Sequence, residues 1–426
     1  MPEIPTTEND PTNAPTTENE RLARRLTAYA VMAHDPAVPA TSADFFELSE
    51  PHYRDVDRSL AAFVASSPQA SAAYAELTAR PAVIEGQRRL YAALVAALGE
   101  RPEHAVAPLA EAVAEADAHI MIDYHLGDAY TDAYTPEVIP APDAIPGPAA
   151  RPAQEAEHRS QPAPVPVPVT GLPQAPQVHI VIPFRDREQG SRTRNLLACL
   201  AALARQEGGP GHRVTIVETD DRPRGRALLE PLADRYVFAH KDGLFNKSWA
   251  VNVGFVSGQG DLPYVCVLDT DILVDRHFTA RGVQRLRSGP FATHLPFTWP
   301  LYLDEPSTRR AIEHEEGDVP DAVLRGMLLR EPPGGCVWTS AEVFGGVGGF
   351  DERFEGWGGE DDDVVARLAA AAPLGRYEDR LLHLNHTRPA MTTGDGQPFN
   401  GHIELMTWKS DQGFGDPRKF SPAVTA

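Results

Sequence analysis

The stretch Tyr264-Val-Cys-Val-Leu-Asp-Thr-Asp271 decides the fold. It is a short unbroken apolar run that ends abruptly in two carboxylates separated by one residue. A run that is apolar on both faces reads as a strand covered on both sides. Working upstream, the same texture recurs at Val178-His-Ile-Val-Ile182, Val214-Thr-Ile-Val217 and Tyr236-Val-Phe238. Helical spacing fills the gaps: Leu196, Leu197, Leu200, Leu203 and Ala204, then Leu228, Leu229 and Leu232, then Trp249, Val253 and Phe255. Strands alternating with helices predict an α/β domain with a parallel, doubly wound sheet. Ligands bind such sheets at the carboxyl ends of the strands.

Further outward the texture changes. Proline is dense over 136–176, and Pro162-Ala-Pro-Val-Pro-Val-Pro168 can form only extended chain, so this span reads as a semi-rigid linker. Residues 20–135 carry helical periodicity, with Leu22, Leu26, Tyr29 and Ala30, then Leu60, Phe63 and Val64, then Leu90, Leu94, Val95 and Leu98. They predict an all-α accessory domain that binds an acceptor or a second copy of the chain. Residues 1–19 and 416–426 read as tails, and 177–415 as the α/β domain.

The whole chain sets further bounds. Its 426 residues hold 39 Lys+Arg against 60 Asp+Glu, a net charge of −21. Binding to nucleic acid or to an anionic membrane needs the opposite sign. The three cysteines are spread along the chain without a CxxC pair, which excludes a disulfide framework and a cysteine zinc site. No apolar run approaches the ~18 residues of a membrane span. The acidic start, Met1-Pro-Glu-Ile-Pro-Thr-Thr-Glu8, has no basic segment followed by an apolar one, so a soluble cytoplasmic protein is expected. The Ala, Arg and Pro usage has the look of a GC-rich bacterial genome.

The polar residues at the strand ends carry the chemistry. The first strand runs into Pro183-Phe-Arg-Asp-Arg187, the second into Glu218-Thr-Asp-Asp-Arg222, and the fourth into Asp269-Thr-Asp271. Two carboxylates one residue apart at a strand end lie on one side of the pleat, and such oxygens suit Mg²⁺ or Mn²⁺ bridging a diphosphate. Without a glycine-rich phosphate loop, a diphosphate needs cations, and Arg185, Arg187 and Lys247 lie near the predicted rim. Downstream, Gly356-Trp-Gly-Gly-Glu-Asp-Asp-Asp363 sets Trp357 between glycines, as a sugar-stacking face, ahead of an acidic helix start. Those acids fit either a first-turn cap or a general base. In Leu382-His-Leu-Asn-His386 the two imidazoles can share a metal if the strand ends between them.

Together, Ile182-Pro-Phe-Arg-Asp-Arg187, Phe245-Asn-Lys-Ser-Trp-Ala-Val-Asn-Val-Gly-Phe255, Leu268-Asp-Thr-Asp271 and Gly356-Trp-Gly-Gly-Glu-Asp-Asp-Asp363 resemble the β-1,4-galactosyltransferase family. Bacterial chondroitin-polymerase-type and polypeptide N-acetylgalactosaminyltransferase modules are related to it. The resemblance covers about 178–410. It implies a GT-A fold, a UDP-sugar donor and Mn²⁺ or Mg²⁺. It also implies Asp271, His386 and His383 as metal ligands, the last where the galactosyltransferases carry Met. It implies Asp361 as catalytic base, and Glu360 and Asp362, with Trp357, as acceptor contacts. Pro183, Phe184, Arg185, Arg187, Phe245, Lys247, Asp269, Thr270, Asp271, Trp357 and Gly358 are implied for the donor. Lys247 stands where the family has Arg, and Pro332-Pro333 replaces an aromatic that helps select galactose. The expected activity is inverting transfer of a hexose or N-acetylhexosamine to a hydroxyl of a glycan, glycolipid, peptide or natural product. The alternatives are a retaining enzyme on the same fold and a non-catalytic sugar-nucleotide-binding protein.

Overall fold

The structure is a computed structural model. It describes residues 17–40, 43–126, 175–187, 190–260, 262–314, 319, 324–387, 390–410 and 413–421. The expected proline-rich linker lies almost wholly outside them, as do most of the expected N-terminal tail and the end of the C-terminal one. In chain order the first elements are α1 (Glu18–His34), α2 (Ala43–Val64), α3 (Pro68–Ala79), α4 (Ile84–Gly99), α5 (Glu103–His119) and β1 (Ile122–His125). There follow β2 (Val178–Phe184), α6 (Ser191–Ala204), β3 (His212–Asp220), α7 (Arg226–Leu229), β4 (Arg235–His240), α8 (Lys247–Gly258), β5 (Tyr264–Leu268) and β6 (Ile272–Leu273). Next are α9 (Phe278–Ser288), β7 (Thr293–Leu295), β8 (Leu301–Leu303), α10 (Glu305–Glu313), β9 (Gly326–Leu329) and β10 (Cys336–Ser340). The last are α11 (Ala341–Gly346), α12 (Glu360–Ala371), β11 (Leu374–Arg376) and β12 (Leu382–His383). Among the described residues, no helix is long and apolar enough to cross a membrane.

The elements form two compact units. In the helical unit, α1 opens with a capping box in which Thr17 and Glu20 satisfy each other's backbone N–H groups. Ser67 caps α3, with Pro68 pre-set at its first position. Leu26, Tyr29, Leu60, Leu90 and Leu94, read from the sequence, converge with Leu77 in one core, all fully buried. Each such side chain contributes roughly 1.5–3 kcal/mol. One member was not legible. β9, which lies within the span read as the α/β domain, pairs antiparallel with β1, Ile122 opposite Leu329 and His125 opposite Gly326. Met327 of β9 packs on the helical core. A strand this short has no local signature, and its partner lies some two hundred residues away in sequence, so the boundary at 177 leaves it on the wrong side.

The α/β unit is built on a seven-stranded sheet in the order β11-β7-β10-β5-β2-β3-β4. Strands β5, β2, β3 and β4 are parallel neighbours. The four strands read from the sequence are parallel as expected, and beyond β5 the sheet continues with β10, which runs antiparallel to both β5 and β7. That strand, Cys336-Val-Trp-Thr-Ser340, follows two prolines and two glycines and lies between β5 and β7. β2 extends through Pro183 to Phe184. Helix α8 lays Trp249, Ala250 and Val253 on Val217 and Ala239 of the sheet. Gly254 lets it approach closely, since a Cβ there would stand 2.4 Å from Val181. A smaller group of strands joins β12 to β6 and β8. The three cysteines are free and buried, and Cys266 and Cys336 bring their sulfurs to 3.8 Å.

Candidate active site

β5 stops at Leu268, so Asp269 and Asp271 leave the sheet at its carboxyl edge. Asp271 is buried, and its carbonyl accepts the Leu384 N–H at 2.7 Å, which moors the chain after β12 against it. β12 ends at His383, so strand alternation does not force His383 and His386 apart. The ligand atoms of Asp271, His383 and His386 all lie within 4.8 Å of one another, the sole such cluster among the described residues. His386 Nε2 stands 3.4 Å from Asp271 Oδ2. The Nδ1 of His383 lies 3.1 Å from the Leu384 carbonyl, and that of His386 lies 2.8 Å from the Thr387 carbonyl. A neutral imidazole that donates from Nδ1 keeps its Nε2 lone pair for a metal. His383 is further oriented by stacking on Tyr302, with ring centroids 4.2 Å apart.

Two residues at this site were missed in the sequence. Arg192 Nη1 donates to Asp271 Oδ2 at 2.9 Å, and Asn195 Nδ2 donates to Oδ1 at 2.8 Å. Asn195 also donates to the Asn385 carbonyl at 3.0 Å. The available signal was a fully buried Asn on the core-facing stripe of α6 beside Cys199 and Leu203. Such a group must find a partner.

The second half of the site centres on Lys247. Asn246 caps α8 by accepting the Trp249 N–H at 2.7 Å, and its amide donates to the Glu352 carbonyl at 2.8 Å. This fixes the first turn of the helix. The Lys247 ammonium then donates to both oxygens of Asp361 at 2.9 Å and lies 3.0 Å from Asp269 Oδ1, with Glu360 at 4.0 Å. One cation thus serves three carboxylates. Burial, and then the charge of Asp361, push Glu360 up to about 7 despite Lys247. Burial raises Asp269 to about 6 against the pull of the same ammonium. For Lys247 burial disfavours the charge, but Asp269, Asp361 and Glu360 more than offset it and hold its pKa well above the usual lysine value.

Glycine geometry presents Asp361. Helix α12 starts from Gly359 at φ +91°, where a Cβ would lie 2.6 Å from the Phe354 ring. Across the pocket, a Cβ on Gly334 would come within 2.2 Å of Asp361 Oδ2. Trp357 is half-buried, and Asn400 Nδ2 donates to the Trp357 and Gly358 carbonyls at 3.3 and 2.8 Å. Asp362 is exposed. Asp363 is buried, accepts from Arg367 Nε at 2.8 Å and from the Met406 N–H at 2.7 Å, and so serves the architecture.

The expected donor residues of the first strand gather elsewhere on the same edge. Pro183 and Phe184 are buried in β2. Arg185 donates to the Gly243 carbonyl at 2.8 Å and lies 3.5 Å from Asp220. Arg187 Nε donates to Asp220 Oδ1 at 2.8 Å, and Arg224 stands 2.8 Å from Oδ2. Buried Asp220, at the end of β3, is therefore the organiser of these arginines. The Phe245 carbonyl accepts the Gly356 N–H at 2.7 Å, and Thr270 Oγ1 donates to Asp271 at 3.1 Å.

Residues 179–326 match the model of Glycosyl transferase family 2, and residues 329–388 match that of the N-terminal domain of galactosyltransferase. The two matches adjoin, so residues 179–388 resemble glycosyltransferases, the second stretch of them galactosyltransferases. Among curated proteins, mouse β-1,4-galactosyltransferase 7 is 27% identical over 169 residues, 39% of this chain and 40% of that protein. The chain therefore spans less than half the length of that relative. Among solved structures, Drosophila β-1,4-galactosyltransferase 7, a mutant crystallised with manganese, UDP-Gal and xylobiose, shows 16% identity and a TM-score of 0.31, over 55% of this chain and 76% of that one. Staphylococcus aureus TarS shows 11% identity and a TM-score of 0.35, over 49% and 37% of the two chains.

Proposed function

We propose that the protein is a metal-dependent inverting glycosyltransferase that moves a hexose or N-acetylhexosamine from a UDP-sugar to an acceptor hydroxyl. The observation that carries this reading is the convergence of two groups at one strand edge: Asp271, His383 and His386 within 4.8 Å, and Asp269 joined to Asp361 through Lys247. One carboxylate and two imidazoles fit Mn²⁺ or Mg²⁺, the mixed oxygen and nitrogen set favouring Mn²⁺. When bound, the ion would offset the charge that grows on the departing diphosphate.

The chain's own residues supply the rest. Asp361 Oδ accepts the proton of the acceptor hydroxyl. The freed oxygen forms its bond to the anomeric carbon from the face opposite the phosphate, while the bond from that carbon to the phosphate oxygen breaks and its electron pair leaves with UDP. Base assistance of this kind is worth ~10²–10⁴-fold. Lys247 is the cation between Asp269 and Asp361, placed to follow negative charge from base to donor. Arg185 and Arg187, held by Asp220, form the nucleotide end. Trp357, Glu360 and Asp362 face the acceptor.

The test is incubation with UDP-galactose, UDP-N-acetylglucosamine or UDP-N-acetylgalactosamine, Mn²⁺ and an acceptor panel, read by UDP release, mass spectrometry and the product's anomeric NMR signals. Mn²⁺-dependent release with inversion is expected. Intact donors throughout, or a product that keeps the donor's anomeric configuration, would overturn the reading.

A further inference from the structure

Arg376, on β11, spends its guanidinium on backbone carbonyls. Nη2 donates to the Glu331 carbonyl at 2.9 Å and to Pro332 at 3.1 Å, and Nη1 donates to Pro332 at 3.1 Å. These carbonyls belong to a segment, Glu331-Pro-Pro-Gly-Gly335, that lies outside any helix or strand. Glu331 holds φ at +49°, a left-handed conformation that side chains rarely adopt, and its N–H donates to the Thr298 carbonyl at 2.7 Å. The prolines that follow have no N–H to anchor them. Thr298 thus holds the turn by its N–H and Arg376 by its carbonyls, while the fixed φ of the two prolines passes the position of the turn on to the glycines beyond.

That shape matters because the segment walls the pocket of the proposed base. Pro333 and Gly335 line it together with Lys247, Asp269 and Asp361. Gly334 lies so close to Asp361 that a Cβ would stand 2.2 Å from its Oδ2. Gly335 accepts the Asp269 N–H at 2.9 Å. A displacement of this wall moves the surface against which Asp361 and the reacting sugar are placed, yet Arg376 itself acts only through the loop.

We infer that Arg376 is a positioning residue: its planar fork clamps the Glu331 and Pro332 carbonyls and so sets the pocket wall opposite Asp361. The inference rests on the reading of Asp361 as base. A lysine carries the charge but no fork, so charge alone does not replace it.

The experiment compares the full-length protein with Arg376→Lys and Arg376→Met by steady-state transfer, Mn²⁺ calorimetry and amide hydrogen exchange. Both variants should lose kcat by on the order of 10- to 100-fold, the cost of misplacing reacting groups. Mn²⁺ affinity should hold, while exchange accelerates at the Glu331 and Asp269 amides and stays slow in β2, β3 and β5. Wild-type kcat in either variant would overturn the inference. So would a fall in kcat with unchanged loop exchange, or with exchange raised across the whole sheet. Should Arg376→Met not fold, the lysine variant decides alone. Asp361→Asn is run beside them: if it transfers at the wild-type rate, the base reading fails rather than the clamp.

Discussion

Each unit of this protein buries a cation among carboxylates, and the two clusters behave differently. In the helical unit, Arg25 Nη1 reaches both oxygens of Asp123 at 2.8 and 2.7 Å, while Nη2 meets Asp117 and the Tyr29 hydroxyl. The Tyr124 N–H adds a further bond to Asp123, whose side chain is 3% exposed. One rigid fork serves two carboxylates from α5 and β1 and locks them to α1. In the α/β unit, the Lys247 ammonium serves three carboxylates, and Asp361 stays 22% exposed. The first cluster ties α5 and β1 to α1 through one planar fork. The second sets three carboxylates around a single ammonium, and burial raises two of them, Asp269 and Glu360, to about 6 and about 7. A site of that kind can take up a further cation and exchange a proton, because its charges are not yet fully matched.

The contrast can be broken at four points. Asp361→Asn should lose transfer by ~10²–10⁴-fold, measured by UDP release, while donor and Mn²⁺ still bind. Retained turnover would place the proton acceptor elsewhere. His386→Ala should weaken Mn²⁺ binding in calorimetry by at least on the order of 100-fold, beyond what loss of an outer-sphere contact costs. Unchanged affinity would move the metal away from Asp271. Arg25→Met should lower folding stability by ~3–5 kcal/mol in denaturant titrations, because it strands buried carboxylates, and should leave kcat of the folded fraction intact. A variant as stable as the parent would make the first cluster no lock at all.

The smallest effect concerns pH. The pKa of Glu360 is raised from 4.5 to about 7 by folding, so the folded state binds its proton more tightly. Its contribution to stability is therefore complete below the unfolded value and is lost as pH rises through about 7. Glu360→Gln should flatten that decline when unfolding is followed between about pH 5 and 8. A parallel curve for variant and parent would show that Lys247 compensates Glu360 fully.

How much of this was written locally can be judged residue by residue. The apolar runs at 178–182, 214–217 and 264–268 announced their strands because burial on both faces demands unbroken β-branched and aliphatic residues. The two glycines ahead of Glu360 announced a helix start near a pocket. By contrast β9 and β10 gave no local sign, since their partners are chosen by pairing across long sequence separations. Asn195 and Arg192 were also silent, and Asp220, legible as a strand-end acid, gave no sign of the arginines it holds: a buried polar residue shows its meaning only with its partner in place.

By itself the sequence determined the kinds of groups available: a carboxylate pair at a strand end, an acid after two glycines, and two imidazoles three residues apart. The tertiary structure alone decided that β12 stops at His383, so both rings turn to Asp271, and that a single ammonium links Asp269 to Asp361. Residue types and short-range periodicity are local properties. Distances of a few ångströms between residues a hundred apart depend on how the sheet, its returning antiparallel strand and the glycine-lined turn pack together.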